Sequence, residues 1–292
     1  MRLGTYETGG ATWPGVRTDA GVVSLPEAGE SAGVDLPANT SDLLGTWEWR
    51  RKVDMAVEHA TETGVGVYDE GDLATLAPVP DPGKIVCVGL NYRDHAEEGG
   101  NPIPDEPVLF AKFPTTVNDP GGEIAWDPDY TEQVDYEAEL VAVVGEEARR
   151  VDPDEAMDHV AGFTVGNDVS ARDLQHGDGQ WVRGKSLDGF APTGPDLVTT
   201  DEVSDPHDLD IWTEVNGERL QESSTDQFIF GVDELVSFCS RAFTLEPGDL
   251  IFTGTPPGVG VYREPPVLLG DGDEVTVGIE ELGELHNHCA FE

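Results

Sequence analysis

The 292-residue chain carries 16 basic and 59 acidic residues, a formal net charge of −43, and a sequence pI near 4.1. That charge excludes binding to nucleic-acid phosphates or anionic membrane surfaces; no apolar run reaches the roughly 18 residues of a bilayer span, and the first residues lack the apolar core of a secretory signal, so a cytoplasmic location is expected. The acid is dispersed among Val/Ile/Leu/Phe-rich segments, and only four of the basic residues are lysines (Lys52, Lys84, Lys112, Lys185), which reads as solvation of a folded protein in a salt-rich cytoplasm rather than as disorder or an acidic tail.

Residues 1–77 read as a small N-terminal α/β appendage. Short strand-like pieces, MRLGTYE and GVVSLP, precede one amphipathic helix over TSDLLGTWEWRRKVDMAVEHA, with Ser41 as N-cap and an apolar stripe including Trp47 and Val53. The Pro-rich stretch APVPDPG then marks a boundary, because proline cannot continue a helix. From 78 to 292 the pattern is mainly β. KIVCVGL, PVLFAKF, YEAELVAVV and AGFTVGNDVS read as strands, with DPDEAMDHV a short helix capped by Asp152. DLDIWTEVNGERLQ is a hairpin whose Asn216-Gly217 suits a type I′ turn, FGVDELVSFCSRAF is a helix, and DLIFTGT and DEVTVGIEEL are the last strands. Strands and helices do not alternate regularly, so the expected class is α+β, mainly β: a mixed β-sandwich roll or barrel rather than a doubly wound parallel sheet. Cys87, Cys239 and Cys289 are far apart and form no metal or redox motif, so they read as small buried hydrophobes.

Several residues carry chemistry. Side chains alternate along a strand, so in VDYEAELVAVV Glu137 and Glu139 share a face that soon becomes apolar. Two such carboxylates are either a solvated strand end or, near a core, a pair that needs a proton or a cation. Asp168 ends an apolar strand and reads either as a turn aspartate or as a third oxygen ligand. The three together would suit Mg²⁺ or Mn²⁺. Lys185 stands out in a chain that avoids lysine. It is either a surface residue or a counter-charge to those acids. His95 and Glu98, three apart after a buried strand, fall on one side of a helical turn. They read as a capping histidine beside a solvated acid, or as a histidine oriented by a carboxylate for work as a general base. His286-x-His288 reads as structural. FTGTPPGVG offers backbone N–H groups and hydroxyls to a carboxylate but lacks the ending of a nucleotide-binding loop.

The ordered set KIVCVGLNYRDHAEE, PVLFAKFPTTV, VDYEAELVAVVG, AGFTVGNDVSARDLQ, WVRGKSLDGFAPTGP and DLIFTGTPPGVG resembles the fumarylacetoacetate hydrolase family over roughly residues 84–290. TGTPPGVGVYREPPVLLGDGDEV is most similar to its domain-containing-protein-2 branch. The resemblance implies a β-roll catalytic domain, a homodimer, and Mg²⁺ or Mn²⁺ held by Glu137, Glu139 and Asp168. It implies Lys185 as the active-site lysine and His95–Glu98 as a catalytic pair on a mobile lid over residues 92–105. It places Gln175 and Thr255 at the oxo-acid end of a small 2-oxo acid substrate. The expected reaction passes through a stabilised enolate: first, hydrolysis of an acylpyruvate-type C–C bond; as alternatives, oxaloacetate tautomerisation or decarboxylation, isomerisation of an aromatic-breakdown diacid, or dehydration of a 2-keto-3-deoxy sugar acid. A non-catalytic acidic cation-binding protein is the rival from another class.

Overall fold

A computed structural model describes residues 1–292. Its centre is the strand Ala138–Val144, buried on both faces and wholly apolar from Leu140 onward, with Glu139 its one charged residue. Leu140, Ala142 and Val144 enter the larger core, while Val141 and Val143 enter a second core behind the sheet. Alternation along one strand thus feeds two hydrophobic layers. The strand pairs antiparallel with Val160–Asn167 on one side and Leu250–Phe252 on the other. Ile85–Gly89 joins parallel to Leu250–Phe252, and Val108–Lys112 closes that edge. These strands belong to a twelve-stranded mixed sheet. A five-stranded sheet, in the order Glu218–Ser224, Asp210–Val215, Glu274–Ile279, Gly283–Phe291 and Glu123–Trp126, packs on one face of it. The architecture is the expected mixed α+β sandwich, but the sheets do not close into a barrel.

The N-terminal strands extend the large sheet: Arg2 and Leu3 pair with Val198 and Leu197. The helices that follow cover the face opposite the small sheet, where Leu43, Leu44, Trp49 and Val53 pack with Val141, Val143 and Phe252. The single helix expected here is in fact two, Thr40–Leu44 and Trp49–Thr63. Asn39, not Ser41, is the N-cap; its side chain accepts the Asp42 N–H at 2.8 Å. Glu48 adopts a left-handed conformation (φ 54°) and breaks the run. The break turns Trp47 out to 83% exposure and brings Trp49 inward instead. No helix is long and apolar enough to cross a membrane.

The remaining elements follow their local signals. Asn216 and Gly217 have φ of 53° and 78°, as a type I′ turn requires. Helix Val232–Ala242 starts where Glu234 accepts the Gly231 N–H at 3.0 Å. All three cysteines are buried and free. The pairing of Ala138 with Asn167, and of Val141 with Phe252, brings Glu137, Asp168 and the loop after Phe252 to one end of the sheet.

Candidate active site

At that end lies a cavity of about 270 Å³. Glu137, Glu139, Lys185, Gln175, Thr255 and His95 all line it, and so does Arg172. Asp168 lies directly beneath, fully buried. One oxygen each from Glu137, Glu139 and Asp168 can be chosen with all three within 4.8 Å of one another. The backbone sets this cluster: Asp168 N–H donates to Glu137 O at 2.9 Å, and Asn167 Oδ1 accepts the Glu137 N–H at 3.0 Å. Gly254 N–H donates to Glu139 Oε2 at 2.7 Å. Gly254 sits at φ 102°, and a Cβ there would fall 2.8 Å from Asn91 Cβ, so only glycine brings this N–H to the carboxylate without strain.

Lys185 Nζ donates to Glu137 Oε2 and to Asp168 Oδ2, each at 2.7 Å. Burial opposes its charge, but Asp168 and Glu137 together hold its pKa above that of an ordinary lysine. Two further cations complete the cluster. Lys112, which the sequence reading placed only as a strand residue, donates to Asp168 Oδ1 at 2.5 Å and to Val169 O at 3.0 Å. Arg172 pairs with Glu137 Oε1 at 2.6 Å and with Asp135 Oδ2 at 2.8 Å. Lys112 is as unusual as Lys185 in a chain with four lysines. Arg172 stands inside the quoted segment NDVSARD, four residues after Asp168.

Four buried carboxylates (Asp135, Glu137, Glu139, Asp168) therefore meet three buried cations (Lys112, Arg172, Lys185). The carboxylate left without an ion pair is Glu139. Burial first, then the charges of Asp168 and Glu137, push its pKa well above the usual carboxylate value. Burial acts the same way on Glu137, but Lys185 and Arg172 outweigh it and keep that group ionised. An all-oxygen trio with one uncompensated member fits a hard divalent cation, which would remove the cost of ionising Glu139.

Helix Arg93–Glu98, the segment expected to be a lid, carries His95 to the cavity. His95 Nδ1 lies 3.1 Å from Glu98 Oε2. An ionised carboxylate only accepts, so Nδ1 carries a proton, and Nε2 is the ring nitrogen left without a partner in the protein. The second oxygen, Glu98 Oε1, accepts the Gly258 N–H at 3.0 Å and ties the lid to the loop after Phe252. Burial raises the Glu98 pKa, but the His95 and Gly258 hydrogen bonds more than offset it, so the net shift is downward. Gln175 Oε1 accepts from Arg172 at 3.1 Å, and Thr255 Oγ1 accepts from Gln221 at 2.9 Å. The cavity is also lined by His176, Trp181 and Tyr262. His176, which no motif in the sequence marks, directly follows Gln175 on one helix. His286 and His288 lie far from this site, on a strand of the small sheet.

The family profile "Fumarylacetoacetate (FAA) hydrolase C-terminal" matches residues 84–290. The chain belongs to the fumarylacetoacetate hydrolase family. It is 49% identical over 233 residues to "Oxaloacetate tautomerase FAHD2B, mitochondrial" of Bos taurus, covering 79% of this chain and 74% of that one. Its fold is similar to the fumarylacetoacetate hydrolase from psychrophilic Exiguobacterium antarcticum, with TM-score 0.81, 35% identity and all of both chains covered. It is also similar to the maleylpyruvate hydrolase from Sphingobium sp. SYK-6, in complex with manganese(II) and pyruvate, with TM-score 0.80, 28% identity, and 100% and 99% of the chains covered. The expected family and fold are thus the observed ones, and the chain is a metal-dependent enzyme of this family acting on a small molecule.

Proposed function

We propose that this enzyme is an oxaloacetate tautomerase, interconverting the enol and keto forms of a small 2-oxo diacid with Mg²⁺ or Mn²⁺. What favours this reaction is the 49% identity to a tautomerase across 79% of the chain. It moves ahead of acylpyruvate hydrolysis, the reaction expected first from the sequence. Glu137, Glu139 and Asp168 would hold the cation, which supplies positive charge beside the oxygen where the enolate charge builds. Gln175 and Thr255 hold the oxo-acid end, and Lys185 adds a second positive charge there. His95 Nε2, free in the resting ring, accepts the 2-hydroxyl proton of the enol and delivers a proton to C3, so ketonisation leaves the ring as it began; the reverse reaction takes the proton from C3 and returns it to the oxygen. Glu98 keeps the ring oriented and its Nδ1 protonated.

Hydrolysis is the second reading. It is favoured by the likeness to the maleylpyruvate hydrolase and by the His95–Glu98 pair, which also suits activation of water. Side-by-side turnover of enol-oxaloacetate and acetylpyruvate, in molar KCl with Mn²⁺ and with or without EDTA, tests both. EDTA-sensitive loss of enol absorbance with no pyruvate from acetylpyruvate supports the tautomerase. Pyruvate release from acetylpyruvate without accelerated ketonisation overturns it in favour of the hydrolase.

The reading extends to the setting: a homodimer in a salt-rich cytoplasm, with residues 1–77 an appendage to a catalytic domain over 78–292. The charge of −43 and the four lysines support the salt assignment. Melting temperature should rise steeply from roughly 0.1 M to 2 M KCl as screening shortens to a few Å; a flat response overturns it.

A further inference from the structure

Gln221, in the strand Glu218–Ser224, is fully buried and is not among the residues lining the cavity, yet its side chain ties Thr255 of the cavity wall to three further groups. Its Oε1 accepts the Ala138 N–H at 2.9 Å and the Thr213 hydroxyl at 2.8 Å. Its Nε2 donates to Thr255 Oγ1 and to Pro256 O, each at 2.9 Å. Two acceptances and two donations use the full capacity of a glutamine amide.

The neighbours decide which way the amide faces. The Ala138 N–H can only donate, and the Pro256 carbonyl can only accept. Oε1 must therefore face Ala138, and Nε2 must face Pro256 and Thr255. It follows that Thr255 Oγ1 receives a hydrogen, and its own hydrogen is left to point elsewhere. The Thr255 side chain makes no second hydrogen bond within the protein, is only 6% exposed, and lines the cavity. A carboxylate entering that cavity offers acceptors only, so a hydroxyl presented as donor is what it needs.

We infer that Gln221 is a positioning residue that fixes the Thr255 hydroxyl as a hydrogen-bond donor to the carboxylate of a bound 2-oxo acid. Through Ala138, which lies between Glu137 and Glu139, it also sets that donor in register with the strand carrying the metal-binding acids. This rests on the proposed placement of Thr255 at the oxo-acid end of the substrate. Presetting the hydroxyl removes rotational freedom before the substrate arrives, which favours binding over the chemical step.

The test is Gln221→Glu, which keeps the shape and still accepts from Ala138 and Thr213; its carboxylate offers no donor to Pro256 O or to Thr255, and the Thr255 hydroxyl, the one of the two with a hydrogen to give, turns around to donate to it. Calorimetry of Mn²⁺, then of oxalate on the Mn²⁺-loaded enzyme in molar KCl, is read beside steady-state ketonisation of enol-oxaloacetate. Oxalate affinity should fall, and KM rise, by roughly tenfold to a hundredfold, the worth of a hydrogen bond to a charged group. Mn²⁺ affinity and kcat should each stay within about threefold. Thr255→Val should give the same loss, Thr255→Ser should recover most of it, and Gln221→Glu with Thr255→Val should lose no more than either alone. Unchanged oxalate affinity in Gln221→Glu, additive losses in the double variant, or a parallel loss of Mn²⁺ binding overturns the inference. Should Gln221→Glu not fold, unchanged oxalate affinity in Thr255→Val overturns it as well. A wild-type enzyme that binds Mn²⁺ but not oxalate defeats the underlying functional reading; one that binds oxalate while Gln221→Glu matches it defeats this inference alone.

Discussion

Asp168 and Lys112, at the base of the site, have no solvent exposure, whereas His95 and Glu98 on the lid retain 12% and 27% of theirs. The base is a closed lattice of charge in which Lys185 bridges two carboxylates and Arg172 bridges another pair. The lid is a six-residue helix with one buried side chain, Ala96. A buried lattice is strongly over-determined: each member is held by partners that cannot be hydrated if it leaves. A short exposed helix is held by a few bonds that water can replace. Under the proposed function, the base would hold the cation and the oxo acid, and the lid would set what happens to the enolate.

The contrast is most exposed to refutation at Glu137. Glu137→Ala removes one of the oxygens proposed to hold the cation and strips partners from Lys185 and Arg172 together. Metal-dependent turnover should fall below detection, and stability should drop by about 3–5 kcal/mol, as when a buried pair loses one member. Turnover and denaturant unfolding in molar KCl read both; full activity with EDTA sensitivity would remove Glu137 from the metal site. His95→Ala comes next. Loss of a positioned acid–base group should cost roughly 10²–10⁴-fold in kcat. Oxalate affinity and melting temperature should hardly move, because the lid carries little of the binding or the fold. If oxalate binding is lost instead, His95 belongs with the binding residues and the division between base and lid fails.

How much of this was legible in the sequence follows the range of the interactions. Strand alternation put Glu137 and Glu139 on one face, and lysine scarcity marked Lys185. The Asn216-Gly217 turn and helix Val232–Ala242 were readable because their causes lie within a few residues. The break at Glu48 was not, because the expected helix had a continuous apolar stripe; only packing of Trp49 against the sheet decides the register. Lys112 looked like a strand residue because its partner, Asp168, is 56 positions away. Gln221 reaches Ala138 across 83 positions, a contact that exists only once the two sheets have packed. Local chemistry showed which acids belonged together; the cations and amides that hold them needed the topology.

Acid titration sharpens the contrast at smaller amplitude. The Glu98 pKa is depressed in the folded protein, so its contribution to lid docking is complete above the ordinary carboxylate value and is lost as pH falls through the lower folded value. Exchange protection of the Gly258 amide should therefore persist through the ordinary carboxylate range and fall, by up to about tenfold, only below it. In Glu98→Gln the protection should be weaker and lack that step. A step above the ordinary carboxylate value would mean that the His95 and Gly258 bonds do not govern Glu98.

The smallest effect is expected at Ser223, whose hydroxyl donates to Asp94 Oδ2 at 2.5 Å, while Asp94 Oδ1 accepts the His95 N–H at 2.9 Å. Asp94 thus connects the small sheet to the turn that carries His95. Ser223→Ala removes one bond of that connection at a half-buried position, where water can take the vacated acceptor. The net loss should be about 1 kcal/mol of lid docking. Because Asp94 still accepts the His95 N–H, the His95–Glu98 pair survives and only the docked population falls. The expected result is a two- to fivefold drop in kcat, a magnitude consistent with one hydrogen bond, with Mn²⁺ and oxalate affinities unchanged. A drop as deep as that of His95→Ala would show the lid to be as tightly determined as the base. Weakened Mn²⁺ binding would show that the lid and the carboxylates form one unit, so that choice of reaction and binding of the cation are not separable in this fold.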